Sequence, residues 1–271
     1  MRSRRVARPL VALSVAFVLA APTFVARAQE PLKVYAAGSL RAVMNDLGNA
    51  WARAGGSPIA PTYGPSGLLR DRLAAGEKAD VFASANLEHP RSLAQSGRAG
   101  LVSVFARNAL CALSNPAAHV SPELLLDRML DPAIKVGTST PRADPSGDYA
   151  WELFAKADEI RPGARATLET KALKLTGGPD SPAPPADRSV YGQLVAEGRA
   201  DLFLTYCTNA LVAQREVPSL VITSIPPALA VGADYGIAVL AGAVPDAARF
   251  VAFVRSDEGR RIVAAHGFTL P

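Results

Sequence analysis

Short β-rich runs alternating with helical patterns predict an α/β fold with largely parallel sheets. Two observations carry this prediction. Runs rich in Val, Ile, Leu, Phe and Tyr recur along the chain, each closed by a turn of small or polar residues and followed by apolar residues at helical spacing. Residues 29–271, left once a leader is set aside, are enough for one large domain or two lobes.

In chain order the pattern begins with a strand over Leu32–Ala36 and a helix over Arg41–Ala54. A strand at Ile59–Tyr63 precedes a helix at Leu68–Ala75, and a short strand at Asp80–Ala83 precedes a helix at Leu87–Ser96. Val102–Leu113 is a longer extended run. Ile134–Gly137 reads as a strand and Tyr149–Ala157 as a helix. Leu202–Tyr206, Leu220–Ser224 and Tyr235–Leu240 read as strands, and Ala247–Val254 and Gly259–Ala265 as closing helices. Gly177–Arg188, with Gly-Gly-Pro and Ser-Pro-Ala-Pro-Pro, reads as an exposed loop. No internal repeat has a fixed period.

Residues 1–28 read as a secretory signal peptide. Arg2, Arg4, Arg5 and Arg8 form a basic head, Leu10–Ala21 is apolar, and Ala26-Arg27-Ala28 is a small-x-small cleavage pattern. No cysteine follows the apolar run, so the sequence predicts export to the periplasm without a lipid anchor. No other segment is long and apolar enough to cross a membrane. The leader also holds five of the 29 basic residues and no acid, so the mature chain has 24 basic and 24 acidic residues. The net charge of +5 belongs to the leader, and no nucleic-acid partner is implied. Cys111 and Cys207 are an even pair in an exported chain, which suggests a disulfide; two separate buried thiols are the alternative.

Sequence motifs for catalysis and metal binding are absent. His89, His119 and His266 lie far apart, with no His-Glu-x-x-His or Cys-x-x-Cys setting. There is no Gly-x-Ser-x-Gly elbow, dinucleotide fingerprint or phosphate loop. The sequence therefore predicts neither an enzyme nor a bound cofactor.

Serines recur where a strand or loop gives way to a helix. They are Ser39 in Ala36-Ala37-Gly38-Ser39-Leu40, Ser66 in Tyr63-Gly64-Pro65-Ser66-Gly67, Ser146 in Asp144-Pro145-Ser146-Gly147-Asp148, and Ser189 in Arg188-Ser189-Val190-Tyr191. A helix start carries unpartnered N–H groups and a partial positive charge, so it attracts anions without a lysine or arginine. Serine is also favoured there simply as a cap. Four such places in one α/β chain point to an anion cleft beyond the strand ends.

On these residues the chain resembles the periplasmic molybdate-binding proteins of ABC transporters. Val34-Tyr35-Ala36-Ala37-Gly38-Ser39-Leu40 looks like that family's first strand and binding turn. Ala79-Asp80-Val81-Phe82-Ala83-Ser84-Ala85 is similar to its next strand, and His266-Gly267-Phe268-Thr269-Leu270 to its C-terminal end. The resemblance implies a two-lobe periplasmic-binding-protein fold (type II-like) with crossover hinge strands near Ala109–Leu113 and Tyr235–Leu240. Lobe 1 would be residues 29–113 plus 235–271, and lobe 2 residues 114–234. The resemblance implies a protein that captures molybdate or tungstate and delivers it to an ABC permease; a monomer is expected. Ser39 and Ser66 match the family's binding serines, Ser146 and Val190 its backbone donors, and Tyr206 its hydroxyl donor. Gly147 and Asp148 are additional candidates.

The chain departs from the family pattern at Asp144 and Asp148, carboxylates beside a binding turn. They would repel a dianion unless turned away or paired, for instance with Arg142; Asp148 also suits the helix dipole. A Cys111–Cys207 bridge would fasten the loop after Tyr206 to a hinge strand. Alternatives are the same protein class with sulfate, phosphate, a small organic acid or a cation complex as ligand; an exported α/β hydrolase; and a sensor or adhesion module.

Overall fold

The computed structural model describes residues 30–184 and 188–271. The predicted leader lies outside the described residues, as do residues 185–187 of the Pro-rich loop. Among the described residues, no helix is long and apolar enough to cross a membrane.

The first strands and helices alternate as expected: β1 (Leu32–Ala37), α1 (Arg41–Arg53), β2 (Ile59–Gly64), α2 (Ser66–Ala74), β3 (Val81–Ser84) and α3 (Glu88–Gln95). β1 pairs in parallel with β2 and β3. On α1, Val43, Met44, Leu47 and Trp51 are buried at spacings of three and four, so one face packs on the sheet. Trp51 meets Phe250 edge-on, with centroids 5.9 Å apart, which ties α1 to the C-terminal helix α9 (Pro245–Val254).

The central part contains β4 (Ser103–Ser114), α4 (Leu125–Leu130), β5 (Val136–Ser139), α5 (Pro145–Ile160), α6 (Ala164–Lys171) and β6 (Leu173–Thr176). It continues with α7 (Val190–Ala196), β7 (Leu202–Tyr206), α8 (Cys207–Glu216) and β8 (Val221–Ser224). β9 (Gly232–Val239), α9 and α10 (Asp257–Ala265) complete the chain. Every residue of β7 is buried, as expected of a strand covered on both faces.

The strands run in the order β2-β1-β3-β9-β4-β7-β5-β6, with β8 also on β4. The expectation of largely parallel sheets meets a mixed sheet. The outer pairs are parallel, but β9 and β4 are antiparallel to each other and to β3, β7 and β8. Periodicity reports burial and not strand direction, so the sequence could not show this. β4 pairs with β9 over Ser103–Ala109 and then with β7 from Leu110 onward. One strand thus serves both halves of the sheet. Arg107 exchanges backbone hydrogen bonds with Thr269 (2.7 and 2.9 Å), so the C-terminal segment is pinned to β4.

Helices α4, α6 and α8 and strand β6 were not predicted. α6 buries only Ala164 and Leu168, and β6 buries only Thr176, so neither carries a strong period. α5 begins at Pro145, four residues before the predicted Tyr149. Its first turn, Pro-Ser-Gly, has the composition of a turn, and the Asp144 side chain caps it.

Candidate functional site

The ends of β1, β2, β7 and the turn before α7 face one cavity of about 310 Å³. Ser39, Ser66, Val190 and Tyr206 all line it, so residues from distant parts of the chain meet there. Arg41, Tyr63, Asp144, Arg188 and Glu216 also line it and were not assigned to the site from sequence.

Each hydroxyl has a defined setting. Ser39 sits in the single 3-10 turn Gly38–Leu40 before α1, and its Oγ lies 3.0 Å from the Tyr235 hydroxyl. Ser66 is the first residue of α2, and its Oγ accepts the Ala85 N–H at 3.1 Å. Neither serine caps its own helix with its side chain. Ser189 does cap α7: its Oγ accepts the Gly192 N–H at 3.3 Å. The Tyr206 hydroxyl donates to the Ala85 carbonyl at 3.4 Å, a long bond that a ligand oxygen can replace.

Tyr206 and Tyr235 are fully buried, with ring centroids 5.5 Å apart. Burial raises both phenols well above their ordinary range, so both remain O–H donors at neutral pH. Tyr235 lies on β9, and its hydroxyl also receives the Asn108 Nδ2 of β4 at 3.5 Å. The network therefore runs from Ser39 to the two strands shared by the halves of the sheet. Sequence reasoning saw Tyr235 as a crossover residue only. Its contact with Ser39 depends on β9 pairing with β3, which itself pairs with β1, an arrangement that no local pattern reports.

Ser146, Gly147 and Asp148 do not line the cavity. The Ser146 N–H donates to Asp144 Oδ1 at 3.1 Å, and its hydroxyl donates to Ser139 Oγ at 3.0 Å. The Ser139 hydroxyl in turn meets Thr176 at 2.9 Å. At Gly147 a Cβ would come within 2.7 Å of Ser139 O and Pro141 N, so the role of this glycine is close packing. Asp148 accepts the Arg142 N–H at 2.7 Å, which holds Arg142 in a left-handed conformation (φ 66°). Arg142 thus pairs with Asp148 through its backbone. Burial raises the Asp148 carboxyl above its ordinary range.

The turn at 140–144 also reaches α2. The Gly67 N–H donates to the Ala143 carbonyl at 2.9 Å, and a Cβ on Gly67 would fall 2.2 Å from the Arg142 carbonyl. Beside Tyr206, Cys207 is bonded to Cys111, so the two cysteines form a disulfide and are not separate thiols. The bridge joins the start of α8 to β4.

The bacterial extracellular solute-binding protein family matches residues 32–269. The chain belongs to this family. It is a family of solute-binding proteins and not of enzymes. The chain is 36% identical over 209 residues to protein PM1146 of Pasteurella multocida, covering 76% of this chain and 86% of that protein. It is 29% identical over 265 residues to the molybdate-binding protein ModA of Mycobacterium tuberculosis, covering 93% and 88%. Among solved structures, the Azotobacter vinelandii periplasmic molybdate-binding protein superposes with a TM-score of 0.70 at 18% identity, over 89% of this chain and 99% of that one. The sulfate-binding protein SubI of M. tuberculosis gives 0.71 at 17%, over 89% and 86%. These likenesses show the fold: this solute-binding protein has the two-lobe α/β architecture of periplasmic binding proteins.

Proposed function

We propose that this solute-binding protein captures a small tetrahedral oxyanion, molybdate or tungstate, between its two lobes and delivers it to an ABC permease. In this reading residues 1–28 direct export to the periplasm, and the mature protein is a monomer without a lipid anchor. Lobe 1 is residues 29–113 plus 235–271, and lobe 2 is residues 114–234.

One observation carries the reading: Ser39, Ser66, Val190 and Tyr206 converge on one cavity. Hydroxyls and helix starts offer a dianion several neutral donors, and neutral donors allow later release. Contacts to both lobes would favour the closed form over the open one. The family match supports a solute-binding role, and the likeness to ModA supports the choice of ligand.

Sulfate is the second reading, because the chain superposes on SubI as well as on the Azotobacter protein. Calorimetric titration of ligand-stripped protein with molybdate, tungstate, sulfate and phosphate separates the two. Binding of molybdate and tungstate alone, weakened in Ser39→Ala, is the expected result. Binding of sulfate alone moves the assignment to the second reading, and binding of none of the four overturns both.

A further inference from the structure

The residue at the cavity wall that fits an anion site least is Asp144. It caps α5, and its Oδ1 already holds the Ser146 N–H, the donor that sequence reasoning gave to the oxyanion. The chain makes room for this carboxyl. A Cβ on Gly177 would lie 2.6 Å from Asp144 Oδ2, so only glycine fits opposite it. Among the described residues no salt bridge involves Asp144.

The charged and titratable groups around it do not neutralise it. Asp148, on the next turn of α5, repels it, while Arg142 gives its backbone N–H to Asp148. Tyr191 of α7, Tyr206 of β7 and Tyr235 of β9 feel its charge and stay protonated. Elsewhere on the cavity wall, Arg41 lies over the Tyr63 ring at 4.6 Å, Arg188 is exposed, and Glu216 holds the Ser189 N–H at 2.7 Å.

A carboxylate and a dianion sharing one cavity repel each other. A single proton on the carboxyl turns that repulsion into a hydrogen bond. We propose that Asp144 enters the complex protonated and donates its O–H to the bound oxyanion, so that capture of a fully ionised oxyanion takes up one proton from solvent. This rests on the reading of the cavity as an oxyanion site. Burial already pushes the carboxyl up to about 6 in the ligand-free protein, and the dianion raises it further. Because the bound form holds the proton more tightly, affinity is greatest below the free-state value and falls as pH rises above it. An oxyanion that brings its own proton, such as hydrogen phosphate, can donate to the Asp144 carboxylate and needs no uptake.

The test is calorimetric titration with molybdate between about pH 5.5 and 8.5, in buffers of different ionisation enthalpy, for the wild-type protein and Asp144→Asn. Wild type should take up about one proton per molybdate near pH 7.5 and lose affinity roughly tenfold per pH unit above about 6. Asparagine is an equally good cap and a permanent donor. Asp144→Asn should therefore abolish both the uptake and the pH dependence, and bind more tightly than wild type at high pH. A residue that merely shaped α5 would give no such gain. Zero uptake in wild type, weaker binding by Asp144→Asn at high pH, or a pH dependence that survives the substitution overturns the proposal. If neither protein binds any oxyanion at any pH, the reading of the cavity itself fails, and the proposal with it.

Discussion

Tyr206 holds its hydroxyl at the cavity while its ring packs between Tyr149 and Tyr235. Tyr206→Phe keeps that packing and removes one donor. Titration should show roughly a tenfold loss of oxyanion affinity, about 1.4 kcal/mol, with the fold intact by denaturant unfolding. Gly67→Ala acts differently, because its new methyl meets backbone that cannot swing away. It should push the 140–144 turn off α2 and destabilise the protein by about 1–3 kcal/mol, measured by the same unfolding. Asp144 gives a pH signature in the ligand-free protein. Its folded value of about 6 lies above the unfolded value of roughly 4, so the folded state binds the proton more tightly. Stability should fall as pH rises from roughly 4 to about 6, and this step should vanish in Asp144→Asn when thermal unfolding is followed across pH. At this scale the sequence named Ser39, Ser66, Val190 and Tyr206 through helix starts and a family resemblance. It placed Tyr235 on a crossover strand but not at the site, because the partner of that hydroxyl lies on another part of the chain.

The disulfide links two elements, β4 and the start of α8, across a sequence separation of 96. On the chain-entropy account a loop of that length contributes roughly 4–5 kcal/mol, and measured losses on removal run about 2–5 kcal/mol. Replacing both cysteines by serine should lower the unfolding midpoint by that order, and reductant should bring the wild-type protein to the same midpoint. Because the bridge adjoins Tyr206, titration of the variant should also show weaker binding. Elements with a clear period were legible in the sequence: α1 buries one face at helical spacing, and β7 is a continuous apolar run. For α5 a helix start was read within Asp144–Asp148, but the helical run was begun only at Tyr149, because Pro-Ser-Gly also has the composition of a turn.

For the whole molecule the expectation is stabilisation by ligand. A ligand that binds only the folded state, at about a hundred times its dissociation constant, adds about 2.7 kcal/mol. For a protein of this size thermal unfolding should shift upward by roughly 5–10 °C, and by less in Tyr206→Phe at the same molybdate concentration. The sequence alone determined the alternation of strands and helices, the balance of 24 basic and 24 acidic residues over residues 29–271, and the serines at helix starts. All of these are set by composition and by neighbours a few residues away. Only the tertiary structure decided that β4 and β9 run antiparallel between the parallel sets, that Cys111 meets Cys207, and that Asp144 lines the same cavity as Ser39, Ser66 and Tyr206. These depend on which distant segments pack together, and burial of shared apolar surface governs that packing without leaving a local periodic trace.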